Sequence, residues 1–273
     1  MRRKLAYPSI FFLATFAVAQ QPAAPAPSAE HHGHAAQPAQ SPGKIWSDLM
    51  DGNKRFVAGK LKPRALVSVR ESLAKSQHPK ATVLSCSDSR VPPELVFDQT
   101  LGDLFVVRAA GNIAGPLGLA SIEYAFDHLG SGVLLVLGHT KCGAVTAACS
   151  GEKMPTTNLQ TMVDQLDPAV KKVKGSATGE ALIEAAIKEN VHQSAMDVLA
   201  HSEVLRHAKE QGKLTVIEAE YQLDTGEVVR LAVPSLGRPT ATASTRKDEP
   251  TAASNQAHTH SWLVTPAAIR PQN

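Results

Sequence analysis

The side chains best suited to chemistry follow one short apolar segment. Residues 81–84 (ATVL) have the composition of a buried strand, and Cys86, Asp88 and Arg90 then occupy every second position. Two prolines directly afterwards stop the extended chain. A thiol together with a carboxylate and a possible counter-ion, all at one strand end, indicates a reactive site rather than more core.

A second apolar segment, GVLLVL, leads into His139 and Cys142, which have the spacing H-x-x-C. If the two strands are neighbours, the sulfur atoms of Cys86 and Cys142 and a ring nitrogen of His139 converge. Two cysteines and one histidine with a fourth position open are typical of a catalytic zinc site, whereas structural sites close with four protein ligands. We therefore predict a catalytic zinc site, with a Cys86–Cys142 disulfide as the alternative. The remaining thiol, Cys149, is expected to be a small buried apolar side chain.

The segments between these residues indicate the elements that must position them. Strands that alternate with helices indicate an α/β domain with a mainly parallel central β-sheet flanked by helices. In such sheets, sites form beyond the carboxyl ends of the strands, where Cys86 and His139 are expected. Hydrophobic periodicity predicts helices over 45–59, 115–130 and 189–208, and strands within 81–86, 101–112, 132–145, 214–223 and 228–233.

The first residues have the features of an export signal. Three basic residues at positions 2–4 precede a mostly apolar stretch, and an A-x-A cleavage motif ends at Ala19. The stretch is too short and too interrupted for a membrane span. We predict a signal peptide over 1–19, cleaved near Ala19, and a mature protein that is periplasmic or secreted, with no stable membrane span. An uncleaved anchor is the alternative.

Two further segments lack the apolar periodicity of a core. Residues 20–44 are rich in Pro and Ala and contain three histidines, at positions 31, 32 and 34, that could bind a divalent metal weakly. We expect this segment to be a disordered linker and residues 237–273 to be a low-complexity tail, on either side of a folded domain over 45–236. The net charge of +3 includes no dense basic cluster and only 4% of residues are aromatic, which argues against a nucleic-acid partner.

The two motifs together resemble those of the beta-class carbonic anhydrases. The likeness is carried by CSDSRVPPE (86–94) and GHTKCGAV (138–145), and extends through WSDLMDGNKRF, LFVVRAAGN, SIEYA and YQLDTGEV. The resemblance implies zinc held by Cys86, His139 and Cys142, and the reversible hydration of carbon dioxide to bicarbonate and a proton. It also implies a homodimer or dimer of dimers, with active sites lined by both subunits.

The resemblance also assigns roles beyond the metal ligands. It implies that Asp88 and Arg90 form a catalytic dyad, and Asp88 can also act as a conditional fourth ligand. Because Arg90 lies on the same side of an extended chain as Asp88, its planar fork can grip that carboxylate.

Three further positions match residues that line the substrate pocket of the family: Gln77, Phe105 and Tyr124. One departure stands out, because Ala109 occupies a position where the family usually has Asn.

Two other functions fit the same residues. One is a related zinc hydrolase of carbon disulfide or carbonyl sulfide on the same fold. The other is a non-catalytic periplasmic zinc-binding protein that uses the His-rich linker, although a metal buffer gives Asp88 and Arg90 no purpose. A phosphatase-like cysteine loop is excluded by spacing, since its arginine would fall at Pro92.

Overall fold

The computed structural model describes residues 40–232. The predicted signal peptide with its cleavage site at Ala19, most of the predicted linker with its three histidines, and the predicted tail lie outside the described residues. Within residues 40–232, no helix is both long enough and apolar enough to cross a membrane.

A five-stranded sheet forms the centre of the domain, in the order β2-β1-β3-β4-β5. Strands β1, β2, β3 and β4 are mutually parallel, and only β5 pairs antiparallel, with β4. The predicted mainly parallel α/β fold is therefore confirmed. The strands are β1 (Ala81–Ser85), β2 (Leu104–Arg108), β3 (Val133–His139), β4 (Thr215–Tyr221) and β5 (Val228–Arg230).

Helices cover both faces of the sheet. They are α1 (Pro42–Val57), α2 (Leu66–Leu73), α3 (Pro93–Val96), α4 (Pro116–Asp127), α5 (Gly143–Ser150), α6 (Thr157–Val173), α7 (Gly179–His201) and α8 (Glu203–Glu210), with a short 3₁₀ turn at Ala110–Asn112. Because side chains alternate along a strand, neighbouring residues enter different cores. Val83 packs on the face covered by α1, while Leu84 packs with residues of α4, α7 and α8.

The order of strands brings the two motifs together. Strand β1 lies between β2 and β3, and Ser85 is in register with both Arg108 and Leu137. Every residue of β1 and of β3 is buried, as expected for central parallel strands. The carboxyl ends of β1 and β3 therefore meet at one edge of the sheet, and the predicted neighbourhood of Cys86 and His139 is confirmed.

The first helix begins earlier than the predicted domain boundary at residue 45. Ser41 is its N-cap, and the Ser41 hydroxyl accepts a hydrogen bond from the amide of Lys44. Pro42 follows at the first helical position, where its missing N–H costs nothing. The predicted linker therefore ends before Pro42, because the capping residues themselves belong to the helix.

The predicted helix over 189–208 is two helices. Ser202 has an extended backbone, and its hydroxyl accepts from the amide of Leu205, so it ends α7 and caps α8. Helix α7 also begins at Gly179, before the predicted start. Helices α2, α3 and α6 were not predicted; the signal for α6 is the apolar spacing of Val163, Leu166 and Val170.

Candidate metal centre

Three soft or borderline ligand groups converge at the carboxyl ends of the two central strands. The sulfur atoms of Cys86 and Cys142 and a ring nitrogen of His139 all lie within 4.8 Å of one another. All three residues are buried, and the three cysteines of the chain are free thiols. The structure thus joins the residues that sequence spacing singled out.

Each ligand comes from a different local feature. Cys86 directly follows β1, and His139 is the last residue of β3. Lys141 adopts a left-handed φ of 56°, which turns the chain between His139 and Cys142. Cys142 is the N-cap residue of α5, so its sulfur lies near the positive end of a helix dipole, which favours a thiolate.

The imidazole of His139 is arranged as a metal ligand. Its Nδ1 lies 2.8 Å from the carbonyl oxygen of Thr140, which fixes the proton on Nδ1 and leaves a lone pair on Nε2. Nε2 is buried and has no hydrogen-bond partner among the described residues. A buried imidazole nitrogen without a partner is costly in an apolar core. Its position beside two thiols therefore fits a bound cation.

The two thiols affect each other's ionisation in opposite directions. The neighbouring Cys142 thiol lowers the pKa of Cys86 to about 4, against the opposing effect of burial. The neighbouring Cys86 sulfur, together with burial, raises the pKa of Cys142. The surroundings of Cys86 therefore favour its thiolate, the form in which a cysteine binds a metal.

Asp88 and Arg90 form a fork beside this cluster. Arg90 donates from Nε to Asp88 Oδ1 at 2.9 Å and from Nη2 to Oδ2 at 2.7 Å, and its backbone amide donates to Oδ1 at 2.9 Å. The Arg90 side chain holds the pKa of Asp88 far below its usual range, although burial opposes the shift. Asp88 Oδ2 lies 3.9 Å from His139 Nε2. An ionised and oriented carboxylate therefore points at the metal cluster.

Sequence reasoning missed a second arginine that holds this segment. Arg108, at the end of β2, donates from Nε to the carbonyl of Cys86 at 3.0 Å and from Nη2 to the carbonyl of Asp88 at 2.6 Å. It contacts the main chain on both sides of Ser87. Its signal in the sequence is its position at a strand end next to β1, which only the strand order reveals.

Ala109, which stands where the family usually has Asn, makes its hydrogen bonds to this segment through the main chain. The amide of Ala109 donates to the carbonyl of Ser85 at 3.1 Å, and its carbonyl accepts from the amide of Ser87 at 3.2 Å. Both contacts use main-chain atoms, so alanine supplies them as well as asparagine would.

The predicted pocket residues occupy the outer strand and its neighbours. Phe105 lies on β2 and Tyr124 on α4, with their ring centroids 6.3 Å apart. Gln77 is exposed and lines a surface cavity with Leu73 and Gly102. Within one subunit, Phe105 and Tyr124 therefore lie side by side, and Gln77 lines a separate surface cavity.

The thiol outside the ligand set behaves differently. Cys149 lies on α5 and packs partly buried against the apolar cluster around Val163 and Leu166. Burial raises its pKa, which favours the neutral thiol. The expected role as a small apolar side chain agrees with this packing.

Comparison with known proteins agrees with the geometry. The family model described as carbonic anhydrase matches residues 81–228. Carbonic anhydrase 2 of Mycobacterium tuberculosis is 37% identical over 196 residues, covering 70% of this chain and 94% of that protein. The carbonic anhydrase of Mycolicibacterium smegmatis is 35% identical over 195 residues, with the same coverage of 70% and 94%. Among solved structures, the beta-carbonic anhydrase CcaA is 28% identical with a TM-score of 0.55, covering 68% of this chain and 94% of that one.

Proposed function

This chain belongs to the beta class of carbonic anhydrases, and we propose that its cofactor is a zinc ion held by Cys86, His139 and Cys142. The observation that carries this proposal is the buried convergence of two sulfurs and the unpartnered Nε2 of His139. Two thiolates and one imidazole are a ligand set that zinc accepts while keeping a fourth position open. When bound, zinc supplies polarisation of an attacking water and stabilises negative charge on the substrate oxygens.

Asp88 orients the nucleophilic water. Its Oδ2 lies 3.9 Å from His139 Nε2, so this carboxylate would accept a hydrogen bond from a water beside the three ligand residues. Arg90 keeps Asp88 ionised and fixes its direction through two parallel hydrogen bonds. With this proximity, Asp88 would also be the conditional fourth residue to hold the ion.

The substrate pocket is shared between two subunits of a homodimer, to which Gln77, Phe105 and Tyr124 contribute. Support comes from β2, an edge strand of the sheet whose first four residues are only half-buried. Beside it, Tyr124 is 45% exposed and Leu117 is 85% exposed. An uncovered edge strand next to exposed apolar side chains is a surface that a second copy can cover.

The enzyme is exported, with a signal peptide over 1–19 that is cleaved near Ala19. The basic positions 2–4, the apolar stretch and the A-x-A motif support this proposal. Mass spectrometry of the N-terminus of protein isolated from the periplasm or the medium tests it. An intact Met1 on that protein would contradict cleavage.

Stopped-flow measurement of carbon dioxide hydration, with metal content determined on the same purified sample, tests the function. We expect hydration in proportion to zinc, at about one zinc per subunit. Rapid hydrolysis of carbonyl sulfide or carbon disulfide without hydration of carbon dioxide would contradict the assignment of substrate. Full hydration in zinc-free protein would contradict the assignment of metal.

A further inference from the structure

A buried asparagine lies behind the metal centre on a helix that supplies no metal ligand. Asn190 of α7 is 2% exposed, and its Nδ2 donates to the carbonyl oxygen of Gly111 at 2.7 Å. Its neighbours along α7, Ile187 and Val191, are apolar and buried. Burying an amide in such a helix is unfavourable unless its hydrogen bonds are made, so the bond to Gly111 accounts for an asparagine here.

Gly111 in turn contacts a metal ligand. Its amide donates to Cys86 Sγ at 3.3 Å in a buried position. Its backbone is left-handed, with φ 72°, and a Cβ there would lie 2.9 Å from Cδ2 of Leu166. The left-handed conformation therefore favours glycine, and a larger residue would also have to displace the Leu166 methyl group.

The close approach of α7 explains how Asn190 reaches this turn. Gly138, directly before His139, has no side chain, and a Cβ there would lie 2.4 Å from Cγ2 of Val191. Helix α7 can thus pack directly on the end of β3. Asn190 and Gly111 belong to parts of the chain that are distant in sequence, and this packing is what joins them.

The same face of α7 carries a second polar contact that does not reach the ligand. Asn112 donates from Nδ2 to Ser194 Oγ at 3.3 Å, and its Oδ1 lies 3.4 Å from Asn190 Nδ2. Ser194 therefore belongs to the same buried network as Asn190. Within the described part of the chain, Ser194 makes no hydrogen bond to Gly111, so it offers a matched control.

We propose that Asn190 is a positioning residue for the metal ligand Cys86, because it grips the Gly111 carbonyl and so fixes the amide that donates to Cys86 Sγ. A hydrogen bond to a metal-bound thiolate withdraws electron density from the sulfur and reduces its donation to the metal. With two thiolates in the set, this contact keeps the metal a better Lewis acid. The inference rests on the proposed ligand set and extends it to a residue outside that set.

The test compares Asn190→Leu and Asn190→Ala with Ser194→Ala, each loaded with cobalt(II) in place of zinc. Leucine has a similar shape but no donor. Alanine removes the donor without adding bulk. The measured quantity is the wavelength of the thiolate-to-cobalt charge-transfer band, with the melting temperature recorded on the same samples.

We expect both Asn190 variants to move the charge-transfer band to longer wavelength, since a thiolate without its amide donor is more electron-rich. We also expect the kcat/KM of their zinc forms to fall about 10- to 100-fold, the usual effect of losing a group that orients a metal ligand. Ser194→Ala should lower the melting temperature yet leave the band and kcat/KM within about twofold, because its partner Asn112 does not contact Cys86.

Each outcome separates this inference from the proposed function. An absent charge-transfer band in the wild-type cobalt protein would overturn the ligand set itself. A normal wild-type band that keeps its wavelength in the Asn190 variants would overturn the positioning role alone, whatever happens to kcat/KM. If Asn190→Leu fails to fold, Asn190→Ala decides between these outcomes.

Discussion

Two aspartates on either side of α3 bind arginines with opposite consequences. Asp98 has a fully buried side chain that accepts from Arg55 at 2.6 Å, from Arg64 at 3.3 Å and from the backbone amide of Lys62. Asp88 is 16% exposed, and its hydrogen-bond donors among residues 40–232 all belong to Arg90, whose side chain is 55% exposed. Donors from three residues surround both oxygens of Asp98.

The comparison teaches that an ion pair becomes a reactive group only where one oxygen can still receive another donor. The Asp98 cluster fastens the loop after α1 to the loop after α3, and its oxygens are occupied by that task. Oδ2 of Asp88 has one arginine donor and faces His139. The first cluster should therefore govern stability, and the second should govern turnover.

Removing a metal ligand should have the largest effect on turnover. Cys86→Ala should lose zinc and lower hydration by about 10³-fold or more, since metal activation of water supplies several kcal/mol. Metal analysis and stopped-flow assays of the same sample measure both. Cys149→Ala is the control, because this thiol lies outside the ligand set. Full zinc content in Cys86→Ala would break the assignment.

Asp88→Asn should lower kcat/KM by about 100-fold and keep the zinc, because an amide cannot replace the ionised acceptor. The free energy of unfolding should fall less than in Asp98→Asn, because the Arg90 side chain is 55% exposed and water can replace its contacts. Arg90→Ala should resemble it by releasing Asp88. Hydration rates equal to wild type in both variants would refute the dyad.

Asp98→Asn should show the reverse pattern. It leaves Arg55 and Arg64 without a counter-ion and should destabilise the protein by about 3 kcal/mol, the low end for a broken buried pair because both arginines are partly exposed. Hydration per zinc-loaded, folded molecule should be unchanged. Denaturant unfolding and stopped-flow assays measure the two quantities. A large loss of turnover with unchanged stability would contradict the different roles assigned to Asp98 and Asp88.

The pH dependence of this destabilisation has a defined sign. Burial raises the pKa of Asp98, but the hydrogen bond from Arg55 and the other donors outweigh it and leave the pKa below the usual value of 3.8. A lowered folded-state pKa contributes stability that is complete above the unfolded pKa and is lost as pH falls through the folded one. The difference in unfolding free energy between wild type and Asp98→Asn should therefore be largest near neutral pH and shrink below about pH 4. A difference that grows in acid would contradict this account.

The sequence predicted the parts of this enzyme whose signal is local. Strands β1 and β3 are unbroken apolar runs, and the ligands Cys86 and His139 follow them directly. Helix α2 has no buried residue in a single subunit, so it carries no apolar period that could predict it. The break at Ser202 depends on a single capping hydrogen bond inside a continuous helical pattern.

The groups that surround the metal ligands were not predictable in the same way. Asn190 and Arg108 act on main-chain atoms of distant segments, and their partners are set by strand order and by the packing of α7. Gly111 is one glycine among many in the sequence. Its role appears only once its amide is seen 3.3 Å from Cys86 Sγ.

Arg108 offers the finest test of the contrast, because it binds the main chain of the site rather than the Asp88 carboxylate. Arg108→Ala removes two hydrogen bonds to exposed or partly exposed carbonyls that water can replace, so each should be worth about 1 kcal/mol or less. We expect the kcat/KM of Arg108→Ala to fall about 5- to 10-fold, with zinc retained. The kcat/KM of Arg108→Lys should lie between those of wild type and Arg108→Ala, since an ammonium group lacks the planar fork that reaches both carbonyls. Arg230→Ala, at the opposite edge of the sheet where the guanidinium lies over Trp46, is the matched control and should keep full turnover. If Arg108→Ala lost as much activity as Asp88→Asn, the position of the main chain would distinguish the two aspartates. The capacity of Asp88 Oδ2 to accept a further hydrogen bond would then not be the deciding difference.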